Sequence, residues 1–219
     1  MINFEERVRI PNDLDTLEAF RSWARSDEYP QQGRYAYLDG EIRVDLSMEQ
    51  PFTHNRLKTK ITTALDTLVD EVGSGEVFSD GMLLSNPAAN LSTEPDAMYV
   101  SFDTMQSGRV RFVEGKIAGF KELEGTPDMV LEIVSTTSIR KDTEILRDLY
   151  WRAGIPEYWL IDARGSELLF ALLRYTSRGY VATRQQADGS VRSAVFGRSF
   201  RLTQRSGPLG NPQYLVEVR

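Results

Sequence analysis

The run Asp128-Met129-Val130-Leu131-Glu132-Ile133-Val134-Ser135 (DMVLEIVS, 128–135) decides the fold of this chain. It is β-branched and apolar on both alternating faces, as a central strand covered by helices must be, and Glu132 is its one interior charge. A helical pattern follows at 138–153, stopped by Gly154 and Pro156, and then a second buried strand, EYWLID at 157–162. Strand, helix, strand is the signature of a parallel crossover, so the centre of the molecule reads as α/β.

Working outward, residues 54–72 place Leu57, Ile61, Leu65, Leu68 and Val72 at spacings of 4, 4, 3 and 4, with Lys58, Lys60, Asp66 and Asp70 between them. That is one apolar stripe on an amphipathic helix. Asp39-Gly40 interrupts an alternating stretch at 35–46, a strong hairpin signal that puts Glu41 at the start of the return strand. Asn12, after Pro11, is the expected cap of an N-terminal helix carrying Leu14, Leu17, Phe20 and Trp23 inward and ending near 30–33. Short strands are expected at 76–78, 82–84 and 97–102, and from Glu167 onward the tail alternates in short strands broken at Arg178-Gly179, Asp188-Gly189 and Gly207-Pro208.

Composition narrows the chemistry. The 219 residues carry a formal charge of −6, one His and no Cys. Disulfide frameworks, thiolate zinc sites, cysteine nucleophiles and multi-histidine metal sites are therefore excluded. Any metal must be held mainly by oxygen. No apolar run is long enough to span a bilayer, and the charged start MINFEERVRIPND is unlike a secretory signal, so a cytoplasmic protein that does not engage membranes is expected. The negative charge disfavours broad adhesion to nucleic acid without excluding a local basic groove.

Burying Glu132 beside Val130 and Val134 costs several kcal/mol unless something compensates it. A salt-bridged core acid is one reading; a metal ligand or catalytic carboxylate is the other. Glu94-Pro95-Asp96 at the mouth of a strand and Lys141 in the first turn of the helix after DMVLEIVS favour the second. Asp96 and Glu132 suffice to anchor Mg²⁺, or Mn²⁺ in its place, completed by carbonyls and water. Hydrolysis of a phosphodiester would also ask for a cation near the nucleophile, and Lys141 is the candidate. In the usual acid-x-Lys arrangement the lysine stands two residues after the acid, where this chain has Val134.

The chain resembles the Uma-two family of restriction endonucleases, a branch of the PD-(D/E)XK nuclease-like fold. The resemblance rests on Leu38-Asp39-Gly40-Glu41, His54-Asn55, Pro95-Asp96, the run 127–135, Tyr150 and the run AGIPEYWLID at 153–162, and extends over about residues 12–185. It implies one restriction-endonuclease-like domain over 1–219: a mixed central sheet flanked by helices, with an N-terminal helix and hairpin and a C-terminal β extension at about 186–219. It implies Mg²⁺-dependent hydrolysis of DNA, metal-binding acids at Asp96 and Glu132, and Glu41 as a further acid. His54, Arg140 and Tyr150 become candidate substrate contacts, and a homodimer is compatible with the pattern. The family's usual lysine falls on Leu146, which puts Lys141 forward as its replacement. Two rival readings stay open: a noncatalytic nuclease-fold module that binds nucleic acid or assembles, and a metal-dependent hydrolase of small phosphoesters. Asp128 is expected to cap or turn rather than ligate, and Tyr158 and Trp159 to lie in the core. Arg140, Lys141, Arg147 and Arg152 form a basic run that is either a solvated face or a phosphate contact. The C-terminal third is expected to hold no catalytic group.

Overall fold

The computed structural model describes residues 8–116 and 119–219. The chain runs α1 (Leu17–Ala24), β1 (Arg34–Leu38), β2 (Glu41–Asp45), a π-helical turn (Pro51–Arg56), α2 (Leu57–Val72), β3 (Gly75–Ser79), β4 (Leu83–Asn86), β5 (Leu91–Thr93) and β6 (Ala97–Ser101). It continues with α3 (Phe102–Gln106), β7 (Val110–Glu114), β8 (Phe120–Gly125), β9 (Met129–Ile133), a second π-helical turn (Lys141–Ile145), α4 (Leu146–Arg152) and β10 (Glu157–Asp162). The last strands are β11 (Leu169–Thr176), β12 (Gly179–Ala182), β13 (Val191–Arg192), β14 (Ser199–Ser206) and β15 (Pro212–Val218).

The architecture is mixed α/β, and its strands divide between two six-stranded sheets and a smaller third one. The first has the order β2-β1-β5-β4-β8-β7, the second β12-β11-β10-β9-β6-β3, and β13-β14-β15 form the third. β9 and β10 are parallel and joined through α4, while the C-terminal β11 and β12 add antiparallel strands to the same sheet. The β1–β2 hairpin turns on Asp39 (φ 52°) and Gly40 (φ 95°), with Leu38 opposite Glu41. Two consecutive left-handed residues are what a type I′ turn requires.

Each apolar stripe finds a separate layer. The two large sheets and α4 enclose one core, in which Leu84 and Leu91 of the first sheet share space with Val130, Val134, Leu146, Tyr150 and Tyr158. On the outer face of the second sheet, Leu57, Ile61 and Leu65 of α2 meet Leu131, Ile133 and Trp159, and Phe200, Leu202 and Tyr214 of the third sheet close that layer. α1 covers the first sheet through Phe20 and Trp23 on Tyr35, Tyr37 and Leu83. Tyr158 and Trp159 are fully buried, as core residues should be. Glu132 therefore faces inward between the two sheets, while its neighbours Leu131 and Ile133 face α2.

Two local expectations need correction. The first helix is capped by Thr16, whose hydroxyl accepts from Ala19 N at 3.2 Å, and not by Asn12, and it ends at Ala24 rather than near 30–33. Leu14 is buried ahead of the helix, so the apolar period begins in extended chain. The long helix does not start as a regular α-helix at His54: the Gln50 side chain caps a wider turn by accepting from Phe52 N at 2.7 Å, and α2 proper begins at Leu57. Gly73, at φ 64°, ends it in the left-handed conformation that favours glycine.

Candidate metal and catalytic site

A cavity of about 280 Å³ opens where the two large sheets meet, between β1, β2 and β5 on one side and the end of β9 on the other. Its lining includes His54, Asp96, Glu132, Lys141 and Asp142. Asp96 stands just before β6, which pairs with β9, so the register that sets Ala97 opposite Leu131 brings Asp96 to the Glu132 end of the neighbouring strand. Asp96 Oδ2 accepts a hydrogen bond from the Ile133 backbone N–H at 2.7 Å. That bond ties the first acid to the residue following the second.

The acids are held in opposite electrostatic states. Burial alone would raise Asp96, but the His54 imidazole beside it, the Lys58 ammonium and the Ile133 N–H hold its carboxyl well below the usual carboxylate range. Glu132 is pushed up to about 8, first by burial and further by the negative charges of Asp142 and Asp96, against the opposing pull of Lys141 and a hydrogen bond from Tyr150. Tyr150 Oη donates to Glu132 Oε1 at 2.6 Å, and Lys141 Nζ lies 3.7 Å from Glu132 Oε2 and 2.8 Å from Asp142 Oδ1. Lys141 opens the π-helical turn after β9, with its side chain 24% exposed at the cavity wall. Asp142 is raised by burial despite Lys141 and a hydrogen bond from the Ser138 hydroxyl.

A second cluster abuts the first. Glu49, at the end of the segment after β2, faces Asp96 across His54: His54 Nδ1 lies 3.3 Å from Glu49 Oε2, and Nε2 lies 3.3 Å from Asp96 Oδ2. The ligand-capable atoms of Glu49, His54 and Asp96 all lie within 4.8 Å of one another. Lys58, on the first turn of α2, reaches Glu49 Oε1 at 2.6 Å, Asp80 Oδ1 at 2.8 Å and Asp96 Oδ1 at 3.3 Å. Arg34 also pairs with Glu49.

The donor set fits a hard divalent ion. Five carboxyl groups, Asp45, Glu94, Asp96, Glu132 and Asp142, line the cavity beside three cations, Arg34, Arg43 and Lys141. Among the described residues the buried His54 Nδ1 has no hydrogen-bond partner, leaving a nitrogen donor at the edge of the acid cluster. Carboxylates supplemented by one imidazole suit Mg²⁺ or Mn²⁺ better than a soft metal.

Of the residues singled out from the sequence, the structure brings Asp96, Glu132, Lys141 and His54 to one cavity and sets Tyr150 behind Glu132. Two lie elsewhere. The Glu41 side chain is 70% exposed on the hairpin, paired with Arg43 at 2.9 Å, because the tight turn holds it at the surface. Arg140 is 76% exposed and pairs with Glu144. The basic run is dispersed among internal partners: Arg152 donates to Asp39 at 2.9 Å and Arg147 to the Tyr180 carbonyl at 3.1 Å. Asp128 braces the start of α3, accepting from Ser101 N at 2.7 Å and Thr104 Oγ1 at 2.8 Å, while the Ser101 hydroxyl caps that helix. Sequence reasoning missed Glu49, Lys58 and Asp142. For Lys58 the available signal was its place four residues after His54, one turn along the same helix face; Glu49 carries no periodic signal at all.

This arrangement of paired sheets with an acid-lined cleft at their junction has a nuclease-like fold. A putative nuclease of the DUF820 group from Anabaena variabilis, known from its crystal structure, superposes with a TM-score of 0.60 at 19% identity, covering 83% of this chain and 90% of that one. Residues 17–205 match the Uma2 family model, described as "Putative restriction endonuclease", and the chain belongs to that family. No curated protein matches it.

Proposed function

We propose that the chain is a Mg²⁺- or Mn²⁺-dependent endonuclease that hydrolyses DNA phosphodiester bonds in this cavity. Asp96 and Glu132 would hold the ion, with Glu49 and His54 as adjacent donors. When bound, the ion polarises the phosphoryl oxygen and lowers the pKa of a water ligand. The Lys141 ammonium offsets charge developing on the phosphate and orients the attacking water. Tyr150 fixes the rotamer of Glu132 through its 2.6 Å hydrogen bond, leaving Oε2 turned toward Lys141. The observation that carries the reading is the approach of Lys141 to Glu132 from a backbone position beyond the strand, in the same cavity as Asp96.

A nicking assay on supercoiled plasmid with Mg²⁺ or Mn²⁺, beside single-stranded and branched DNA, tests it. Cleavage is expected with either ion, none with chelator, and a loss of about 10²-fold or more in Glu132→Ala and Lys141→Met. Cleavage that survives both substitutions would overturn it. One observation favours a noncatalytic binding module instead: Leu146, at the family's lysine position, is fully buried in the inter-sheet core and offers no cation. Retention of plasmid without nicking under every metal condition would support that second reading.

A further inference from the structure

Lys58 is a lysine buried in the middle of a candidate metal cluster. Its side chain is 6% exposed, and its ammonium bridges Glu49 and Asp96, two of the three residues whose donor atoms converge. An ammonium withdrawn from water needs partners wherever it goes, because an unpaired buried charge is strongly destabilising. Here it has a third one. Asp80, 54% exposed in the turn between β3 and β4, holds the same nitrogen at 2.8 Å from the solvent side. The backbone at Asp80 is left-handed, with φ 52°, which fixes that carboxylate at a tight turn tip rather than on a flexible arm.

We infer that the Lys58 ammonium is a tethered cation that occupies the Glu49–Asp96 edge in the metal-free chain and withdraws onto Asp80 when a divalent ion enters. The inference rests on the reading of Asp96 as a metal ligand and adds an exchange of cations to it. Charge supports the exchange. Glu49 and Asp96 would repel each other without cations between them; His54 and Lys58 from α2 and its leading turn separate them, and the Arg34 guanidinium of β1, paired with Glu49 and 3.9 Å from Asp96 Oδ1, adds a fixed charge from the other side. A divalent ion supplies the same compensation with more charge, which frees Lys58 to move. A four-carbon stem rooted on the first turn of α2 can swing outward without unwinding the helix, since Lys58 Cα belongs to regular α-helix. Asp80 keeps the displaced ammonium paired throughout.

Two substitutions push metal affinity in opposite directions. Lys58→Met removes the competing positive charge while keeping an unbranched side chain, so Mn²⁺ should bind about 10-fold tighter or more, a fold-change of about 1.4 kcal/mol that one like charge nearby readily accounts for. Asp80→Asn removes the receiving carboxylate but keeps a side chain tolerant of the left-handed turn, so Mn²⁺ should bind more weakly. The measurement is titration of the purified chain with Mn²⁺ alone, following free ion by electron paramagnetic resonance, with melting curves in chelator as the check on folding. Unchanged or weaker binding in Lys58→Met, with the fold intact, would overturn the inference and leave Lys58 as a positioning residue for Asp96. If Lys58→Met does not fold, Asp80→Asn decides alone: affinity equal to or above that of the parent chain overturns the exchange. Asp96→Asn keeps the two readings separate. Mn²⁺ affinity unaltered by that substitution sinks the metal site itself, whereas its loss together with an unresponsive Lys58→Met sinks only the exchange.

Discussion

At the scale of single residues, burial makes Glu132 a base whose charge waits for a partner. Its carboxyl is pushed from the ordinary 4.5 to about 8, first by burial, so in the metal-free chain it is largely protonated at neutral pH. Between those two values the folded state holds a proton that the unfolded state has released. Stability due to this group therefore falls as pH rises across that window, and is unaffected below it where both states are protonated. In chelator, the melting temperature of the parent chain should drop relative to that of Glu132→Gln as pH increases from about 5 to about 8, because the amide cannot ionise. Parallel melting profiles for the two proteins would show that Glu132 is not perturbed. Binding of a metal to Glu132 must also release its proton, so affinity should rise over the same range.

At the scale of elements, a charged cluster that the apolar pattern does not reveal holds α1 to the first sheet. Arg21 lies on the buried face of α1 and pairs with Glu122 and Glu124 of β8, while Arg25 adds a second contact to Glu122 at 2.6 Å. Glu122 is completely buried. Burial would raise its carboxyl, but hydrogen bonds from Arg21, Ser85 and Arg25 bring it below the usual glutamate value. Removing Arg21 leaves a buried carboxylate short of its main partner. Arg21→Met should cost about 3–5 kcal/mol in urea unfolding, and the double variant Arg21→Met with Glu122→Met should recover most of that loss. A single variant as stable as the parent would mean that α1 is held by Phe20 and Trp23 alone. This cluster also explains what the sequence concealed. Where an element is patterned by apolar residues, on one face in α2 and on both in DMVLEIVS, the pattern identified the element. β8, reading Phe120-Lys121-Glu122-Leu123-Glu124-Gly125, turns glutamates toward α1, so its pattern looks like loop, and the three-residue β5 is too short to announce itself, whereas the Val-Arg-Phe alternation of β7 was a signal that sequence reasoning passed over. The site divides along the same line. Asp96, Glu132 and Lys141 could be found because each adjoins a recognisable strand, whereas Glu49 and Lys58 meet Asp96 only through tertiary placement, and a polar residue on a helix reads as solvent-facing until a neighbouring turn buries it.

At the scale of the whole molecule, the layers are fastened by a carboxylate remote from the chemistry. α2, whose leading turns carry His54 and Lys58, lies between the second sheet and the C-terminal one, so the placement of half the candidate site depends on how firmly that last sheet is attached. The attachment runs through Glu157 at the start of β10. This buried side chain accepts from Ala194 N at 2.5 Å and Val195 N at 3.1 Å on one oxygen, and from Ser193 Oγ at 2.7 Å and Trp159 Nε1 at 2.9 Å on the other. All four partners are donors, and a carboxylate offers acceptors on both oxygens. An amide in its place keeps the shape but turns one oxygen into a donor facing two donors. Glu157→Gln should therefore lose about 2–5 kcal/mol, since each unmet buried partner costs about 1–3 kcal/mol. The loss should fall first on the segment 193–195 and on β14, seen as faster amide exchange there than in β9 and β10. Because Glu157 lies outside the acid-lined cavity, Mn²⁺ affinity of the folded fraction at low temperature should stay near that of the parent. Uniformly raised exchange across β9 and β10 with β14 unaffected would instead make Glu157 a support for the central strands, and the C-terminal sheet would need another fastening.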